Sequence, residues 1–198
     1  MAGSGRTAEF GTKVAIRIEF YTGSYHASGD IEVSRWHITD LLNDKARPSI
    51  IIDNAIREPL PQIVQPGEQP LARATPILQI AKQAIILAVP HETMNLAAAR
   101  QQYIAALYQE RSQATAIVVC PPFELKGIVH LRRGFQVKNG FDELATDFIP
   151  VTELEATYIP DARIRINSEF AVINRQRAEL VVLTDDGPKK MARGFRTE

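Results

Sequence analysis

The feature that most constrains this chain is a recurrence: one set of strand-like segments appears twice, in the same order, on either side of a helix-like stretch. In the first set Val14, Ile16, Ile18 and Phe20 alternate with Ala15, Arg17, Glu19 and Tyr21, the period of two that turns one face of a strand into a core. A second strand is predicted over 28–33, containing Gly29. A short helix follows at 38–44, with Thr39 or Asp40 positioned to accept from its first N–H groups. Residues 49–56 read as an apolar strand and 59–70 as a Pro- and Gly-rich loop. The set closes with 77–80 and 84–89, two strands joined as a hairpin by a tight turn at Lys82-Gln83.

From Ala114 the series starts again. Residues 115–119 form an apolar strand, and Lys126-Gly127-Ile128-Val129-His130-Leu131 parallels Ser28-Gly29-Asp30-Ile31-Glu32-Val33 with the glycine in place. Residues 143–147 stand where 40–44 stood, 148–151 repeat 49–52, and Ile173-Asn174-Arg175 falls where Ile80-Ala81-Lys82 fell. Shared order and spacing point to an internal duplication. The expected division is a first β-barrel repeat at 13–91, a linker helix at 92–113, a second repeat at 114–186 and a basic tail at 187–198. Residues 1–12 read as cloning-derived or disordered.

The linker lacks Gly and Pro between Thr93 and Ser112 and is rich in Ala, Gln and Leu, so a helix is predicted. Leu96, Tyr103 and Leu107 recur at helical spacing and give it an apolar face. That face is expected to pack on the β repeats, with a partner-binding or dimerising face as the alternative.

Charge and cysteine content narrow the function classes. Lys plus Arg and Asp plus Glu number 23 each, so no global field steers the chain toward nucleic acid or an anionic membrane. A single cysteine, Cys120, precludes an internal disulfide and suits a reducing compartment, so the cytoplasm is the expected location. No apolar run approaches the ~20 residues of a membrane-spanning helix.

The succession of a strand, a bent second strand, a short helix and three more strands resembles the small five-stranded barrels of the Sm-like class. The second repeat is similar to a family of uncharacterised bacterial Sm-like domains, through Lys126 to Leu131, Phe141 to Leu144, Phe148 to Glu153 and Ile173 to Arg175. The expected fold class is therefore mainly β with some α: two tandem Sm-like or SH3-like barrels joined by an amphipathic helix. Where Sm proteins bind RNA, the resemblance implies a site at the last hairpin and the loops near it, around Asn174 and Arg175. The first repeat has Ala81 at the asparagine position.

Motifs for catalysis are missing from the sequence: it has no Gly-x-Ser-x-Gly elbow, Walker loop or dinucleotide fingerprint. His26, His37, His91 and His130 lack the close spacing of zinc sites, and His26 and His130 stand at non-equivalent positions. Cys120, closing an apolar strand, is expected to be buried and inert. Arg132, Arg133 and Lys138 make a basic loop near Phe135 and Phe141, the best nucleic-acid candidate together with Asn174 and Arg175. Against it, residues 114–186 hold 8 basic and 11 acidic side chains. The tail carries Lys189, Lys190, Arg193 and Arg196 against Glu198, and docking on an acidic partner or on the second repeat is one expectation for it.

The sequence thus points to a non-enzymatic interaction or scaffolding protein that binds a protein partner or itself. No catalytic, metal or cofactor site and no small-molecule substrate are indicated. The alternative is an Sm-like binder of RNA or single-stranded nucleic acid.

Overall fold

A computed structural model describes residues 13–34, 38–65, 68–91, 97–131, 133–134, 141 and 145–184. Ten strands form one antiparallel sheet. In chain order they are β1 (Lys13–Thr22), β2 (Tyr25–Ser34), β3 (Ser49–Pro59), β4 (Arg73–Ala81), β5 (Ile85–Pro90), β6 (Ser112–Cys120), β7 (Phe123–Leu131), β8 (Phe148–Tyr158), β9 (Arg165–Asn174) and β10 (Leu180–Thr184). Helix α1 (Ile38–Asn43) lies between β2 and β3, and α2 (Ala97–Glu110) between β5 and β6. None of the described helices is long and apolar enough to cross a membrane.

The strand order across the sheet is β10-β6-β7-β8-β9-β5-β1-β2-β3-β4. Each half therefore runs fifth strand, first, second, third, fourth, and the halves meet where β9 pairs with β5. The registers also correspond. Ser49 faces Ala81 and Ile50 faces Ile80, as Phe148 faces Asn174 and Ile149 faces Ile173. Tyr21 faces Leu87, as Val119 faces Leu180.

The bends fall at the glycines. A Cβ on Gly29 would lie 2.4 Å from Ile52 Cγ2 and 2.7 Å from the Asp53 carbonyl oxygen, and one on Gly127 would lie 2.5 Å from Val151 Cγ1. Only a residue without a side chain lets the strands approach so closely. Register shifts occur at these points in both β2–β3 and β7–β8, the local irregularity that bends and twists a strand. Just beyond, Asn54 (φ 49°) and Glu153 (φ 53°) take the left-handed conformation, which asparagine tolerates and glutamate rarely adopts.

The segments 77–80 and 84–89 do not form the expected hairpin. A 3-10 turn, Lys82–Ala84, sends β4 to pair with β3 and β5 to pair with β1, on opposite sides of the first half. The turn Arg175–Arg177 does the same for β9 and β10. The physical reason is that a 3-10 turn with extended residues on both sides makes a corner, so the two strands never lie side by side. Thr39, expected at the cap of α1, sits instead in its first turn, where its hydroxyl accepts from Tyr103. The C-terminal end of α1 is closed by Lys82, whose ammonium donates to the carbonyls of Leu41 (2.6 Å) and Asp44 (2.8 Å).

The hydrophobic clusters ignore the boundary between halves. One combines second-half residues with Tyr21, Ile86, Leu87 and Val89, while the other combines first-half residues with Phe148, Phe170, Val172 and Leu107. Every residue of β5 and the stretch from Phe170 to Asn174 of β9 are buried. The joint is therefore part of the core.

Candidate functional site: the joint and the two unpaired edges

At the joint Leu87 faces Ile173 and Ala88 faces Val172. Hydrogen bonds reinforce the apolar contact. The buried Asn174 donates through Nδ2 to the Ile85 carbonyl (3.0 Å) and accepts at Oδ1 from the Gln176 amide (3.0 Å), tying the two 3-10 turns together. Asn43 of α1 bonds both backbone groups of Phe148. Across the far side, the amide of Gln62 donates to the Tyr158 hydroxyl (3.2 Å) and Leu60 is buried, so the start of the 59–70 loop is pinned to the second half.

Among the described residues β4 and β10 have one neighbour each. These outer strands are the register counterparts of β9 and β5, the two that form the joint. Their side chains differ sharply in exposure. Leu180 is 51% exposed and Val182 44%, whereas Leu87 and Val89, at the same positions of β5, are 0% and 3%. On the other edge Ile77 is 63% exposed and its counterpart Phe170 1%, and on the adjoining β3 Ile51 is 60% exposed while its counterpart Pro150 is buried. An unpaired strand with exposed apolar residues is a template for pairing with another chain.

Two open clefts lie near these features. One, of about 630 Å³, runs along β2, β3 and α1 of the first half and is lined by Glu32, Asp40, Asp44, Asp53, Ile51 and Leu41 among others. The other, of about 790 Å³, lies at the seam between halves, where Asp44, Arg47, Lys82, Asp147, Asn174 and Arg177 converge.

The residues singled out in the sequence scatter relative to these places. Arg132, Lys138 and Leu96 lie outside the described residues. Arg133 is exposed and donates to the carbonyl of Gln109 at the end of α2 (2.6 Å). Asn174 lines the seam cleft, yet its amide is engaged within the joint. Arg175 donates to the carbonyls of Thr146 (2.9 Å) and Phe141 (3.2 Å) and pairs with Asp147 (3.7 Å). Tyr103 and Leu107 face inward: Leu107 is buried, and the Tyr103 ring meets Phe170 edge-on at 5.5 Å. The packed face of α2 also carries the buried Arg100, which pairs with Glu169, while Ala98, Gln101, Gln102 and Ala105 point outward. Contrast between its faces is accordingly weak, although Tyr103, Ile104 and Leu107 pack on the core.

Titratable groups are held by burial and local pairing. Burial pushes the Cys120 thiol up to about 12, so it carries no thiolate at neutral pH. His130 is buried, bonded through Nε2 to the Thr152 hydroxyl (2.8 Å), and pushed down to about 4 by desolvation. Glu19 ties three segments together, accepting from Tyr21 and pairing with His26 (3.2 Å) and His91 (2.8 Å); its close pairing with His26 is the main cause that holds its carboxyl down at about 2. Among the described residues no group of three or more His, Cys, Asp or Glu has metal-binding geometry.

The sequence reading missed Asn43, Ile51, Ile77, Leu180 and Val182. The last four lie in segments read as apolar runs, Ser49 to Ile52, Ile77 to Ile80 and Leu180 to Leu183, where no alternation marks which side faces out. Compared with protein-family models, curated proteins and solved structures, the chain finds no match in any of the three.

Proposed function

We propose that this chain is a non-enzymatic assembly protein, a duplicated Sm-like domain whose copies associate head to tail through β4 of one molecule and β10 of the next. The observation that carries this reading is the β5–β9 joint. It is a strand pairing between the fifth strand of one half and the fourth strand of the other, and among the described residues the same two types of strand have no neighbour on their outer sides at the ends of the sheet. Repetition of one heterologous contact produces a closed ring or a filament, depending on whether the rotation closes. The matching registers and the paired Gly29 and Gly127 bends support descent of the halves from one domain.

The test is the mass of the full chain in solution by light scattering across a dilution series, with Val182→Lys as the edge variant. A mass above that of the single chain is expected, a discrete multiple for a ring or one that grows with concentration for a filament, and it is reduced by the lysine that now stands at the edge. A chain that stays monomeric at every concentration overturns the proposal.

Nucleic-acid binding is the second reading, favoured by the exposed Arg47 and Arg177 at the seam cleft, whereas the buried Lys82 there is engaged by the α1 carbonyls. Against it stand the internal hydrogen bonds that occupy Asn174 and Arg175. Phosphate-driven affinity falls steeply with salt, so a salt-titrated assay on a mixed oligonucleotide pool decides it, and no binding at low salt removes it.

A further inference from the structure

We infer that association between copies has a second contact away from the strand edges: the turn that follows β8, carrying Ile159, docks on Tyr25 and Pro59 of the next copy. This inference rests on the head-to-tail reading above and adds a surface that strand pairing by itself does not require.

The joint within the chain supplies the template. Beside the β5–β9 pairing the first half also reaches onto the second through side chains. The Tyr21 ring meets Phe123 edge-on at 5.7 Å, the Gln62 amide donates to the Tyr158 hydroxyl (3.2 Å), and Leu60 is buried in the same cluster as Phe123 and Tyr158. Each side of this contact has a counterpart in the other half. Tyr25 faces Pro59 as Phe123 faces Tyr158, and Tyr21 faces His26 as Val119 faces Glu124. Leu60 and Ile159 come directly after β3 and β8 and are anchored by the same bond: the Leu60 amide donates to the Ser24 carbonyl and the Ile159 amide to the Pro122 carbonyl, both at 2.8 Å. The backbone is held alike at both places, and what differs is the cover.

That difference is large. Ile159 is 52% exposed and Leu60 8%, while Tyr25 is 39% exposed and Phe123 1%. Val119 and Pro59 are half-buried where Tyr21 and Tyr158 are buried. Arg57 lies over the Tyr25 ring at 6.0 Å and leaves the ring accessible. The second half therefore carries one side of the contact bare, and the first half carries the other side bare.

Continuity with the joint identifies the occupant. Leu87 and Val89 share the buried cluster with Leu60, and their counterparts on β10 are the exposed Leu180 and Val182. Ile159 is thus part of the same bare surface as the β10 edge. If β10 pairs with β4 of the next copy in the register of the joint, Leu180 stands opposite Ile80. The placement that sets Leu60 on Phe123 and Tyr158 then sets Ile159 on Tyr25 and Pro59. An aliphatic side chain against an aromatic ring and a proline is apolar on both sides, so burial drives the contact.

Two measurements on the full chain test this. Ile159 is exposed and its anchoring bond is made by the backbone, so Ile159→Ser keeps the single chain folded; in the dilution series it is expected to weaken association roughly five- to tenfold, the worth of burying the exposed part of an isoleucine. Benzoylphenylalanine in place of Ile159 is then irradiated in an equal mixture of isotope-labelled and unlabelled protein, and the linked peptides are read by mass spectrometry. The expected product joins position 159 to a peptide containing Tyr25 or Pro59 of a different copy. A monomeric full chain overturns the assembly reading and this inference together. An assembled chain whose association is unchanged by Ile159→Ser, or in which position 159 links to other peptides or to nothing outside its own copy, overturns this inference alone.

Discussion

Asn43 and Phe148 meet across the two halves as though they were a pair in a β ladder: Asn43 Oδ1 accepts from the Phe148 amide and Asn43 Nδ2 donates to the Phe148 carbonyl, both at 2.9 Å. A helix side chain thus completes the first rung of β8, and a side-chain amide is the one neutral group with both donor and acceptor in that geometry.

Asn43→Leu is expected to destabilise the chain by about 1–3 kcal/mol, because it leaves both backbone groups of the buried Phe148 without a partner. Asn43→Asp keeps the acceptor and loses the donor, and its carboxylate then faces a carbonyl, so it is expected to recover little. Urea denaturation followed by fluorescence of Trp36 and the tyrosines measures both; stabilities equal to the wild type would mean that water replaces Asn43 at no cost.

Gly29→Ala and Gly127→Ala each force a methyl group into Ile52 or Val151 and against a neighbouring carbonyl oxygen. The expected loss is about 1–3 kcal/mol for each, as for other over-packed sites. Similar losses at the two positions would show that the bends have equal structural weight. A tolerated substitution at either would show that the strands separate there easily.

Asn174→Ala separates a structural role from a contact role. The variant removes the donor to the Ile85 carbonyl and the acceptor for the Gln176 amide, and is expected to lower the unfolding free energy by about 1–3 kcal/mol in the absence of any ligand. Unchanged stability, with loss of oligonucleotide binding, would instead assign the side chain to nucleic acid.

The buried imidazole of His130 sets a pH window. It is neutral in the fold and pushed down to about 4, whereas in the unfolded chain it titrates near 6.5. Its contribution is therefore complete above 6.5 and is lost as pH falls toward 4, by on the order of 3 kcal/mol. Glu19, held down at about 2, acts in a separate window: the stability it adds is present above its unfolded value of 4.5 and is lost as pH falls toward 2. His130→Gln, which keeps a partner for Thr152, is expected to flatten the stability profile between pH 6.5 and 4.5 and leave the lower window intact. A profile unchanged by the substitution would place the titrating group elsewhere.

Much of the local structure was legible. The alternation at Ile16, Ile18 and Phe20 marks β1, and these three are buried as it requires. Ile38 to Asn43 is helical within the span expected, and Thr93 to Ser112 contains the predicted helix. The alignment of Ile80-Ala81-Lys82 with Ile173-Asn174-Arg175 agrees with the strand registers. The candidate site was far less legible, because the exposed apolar residues became distinctive only beside their buried counterparts.

What the amino-acid sequence determined by itself is the alternation, the helix-forming stretches and the glycines where strands must touch, all properties of residues close along the chain. Tertiary structure alone decided that β4 and β5 part at a corner, that β5 joins β9, and that Asn174 serves the joint. The reason is physical: every strand edge offers the same row of amides and carbonyls, so a strand's own residues do not select its neighbour. Selection comes from which edges the whole chain brings together and which apolar faces are then buried.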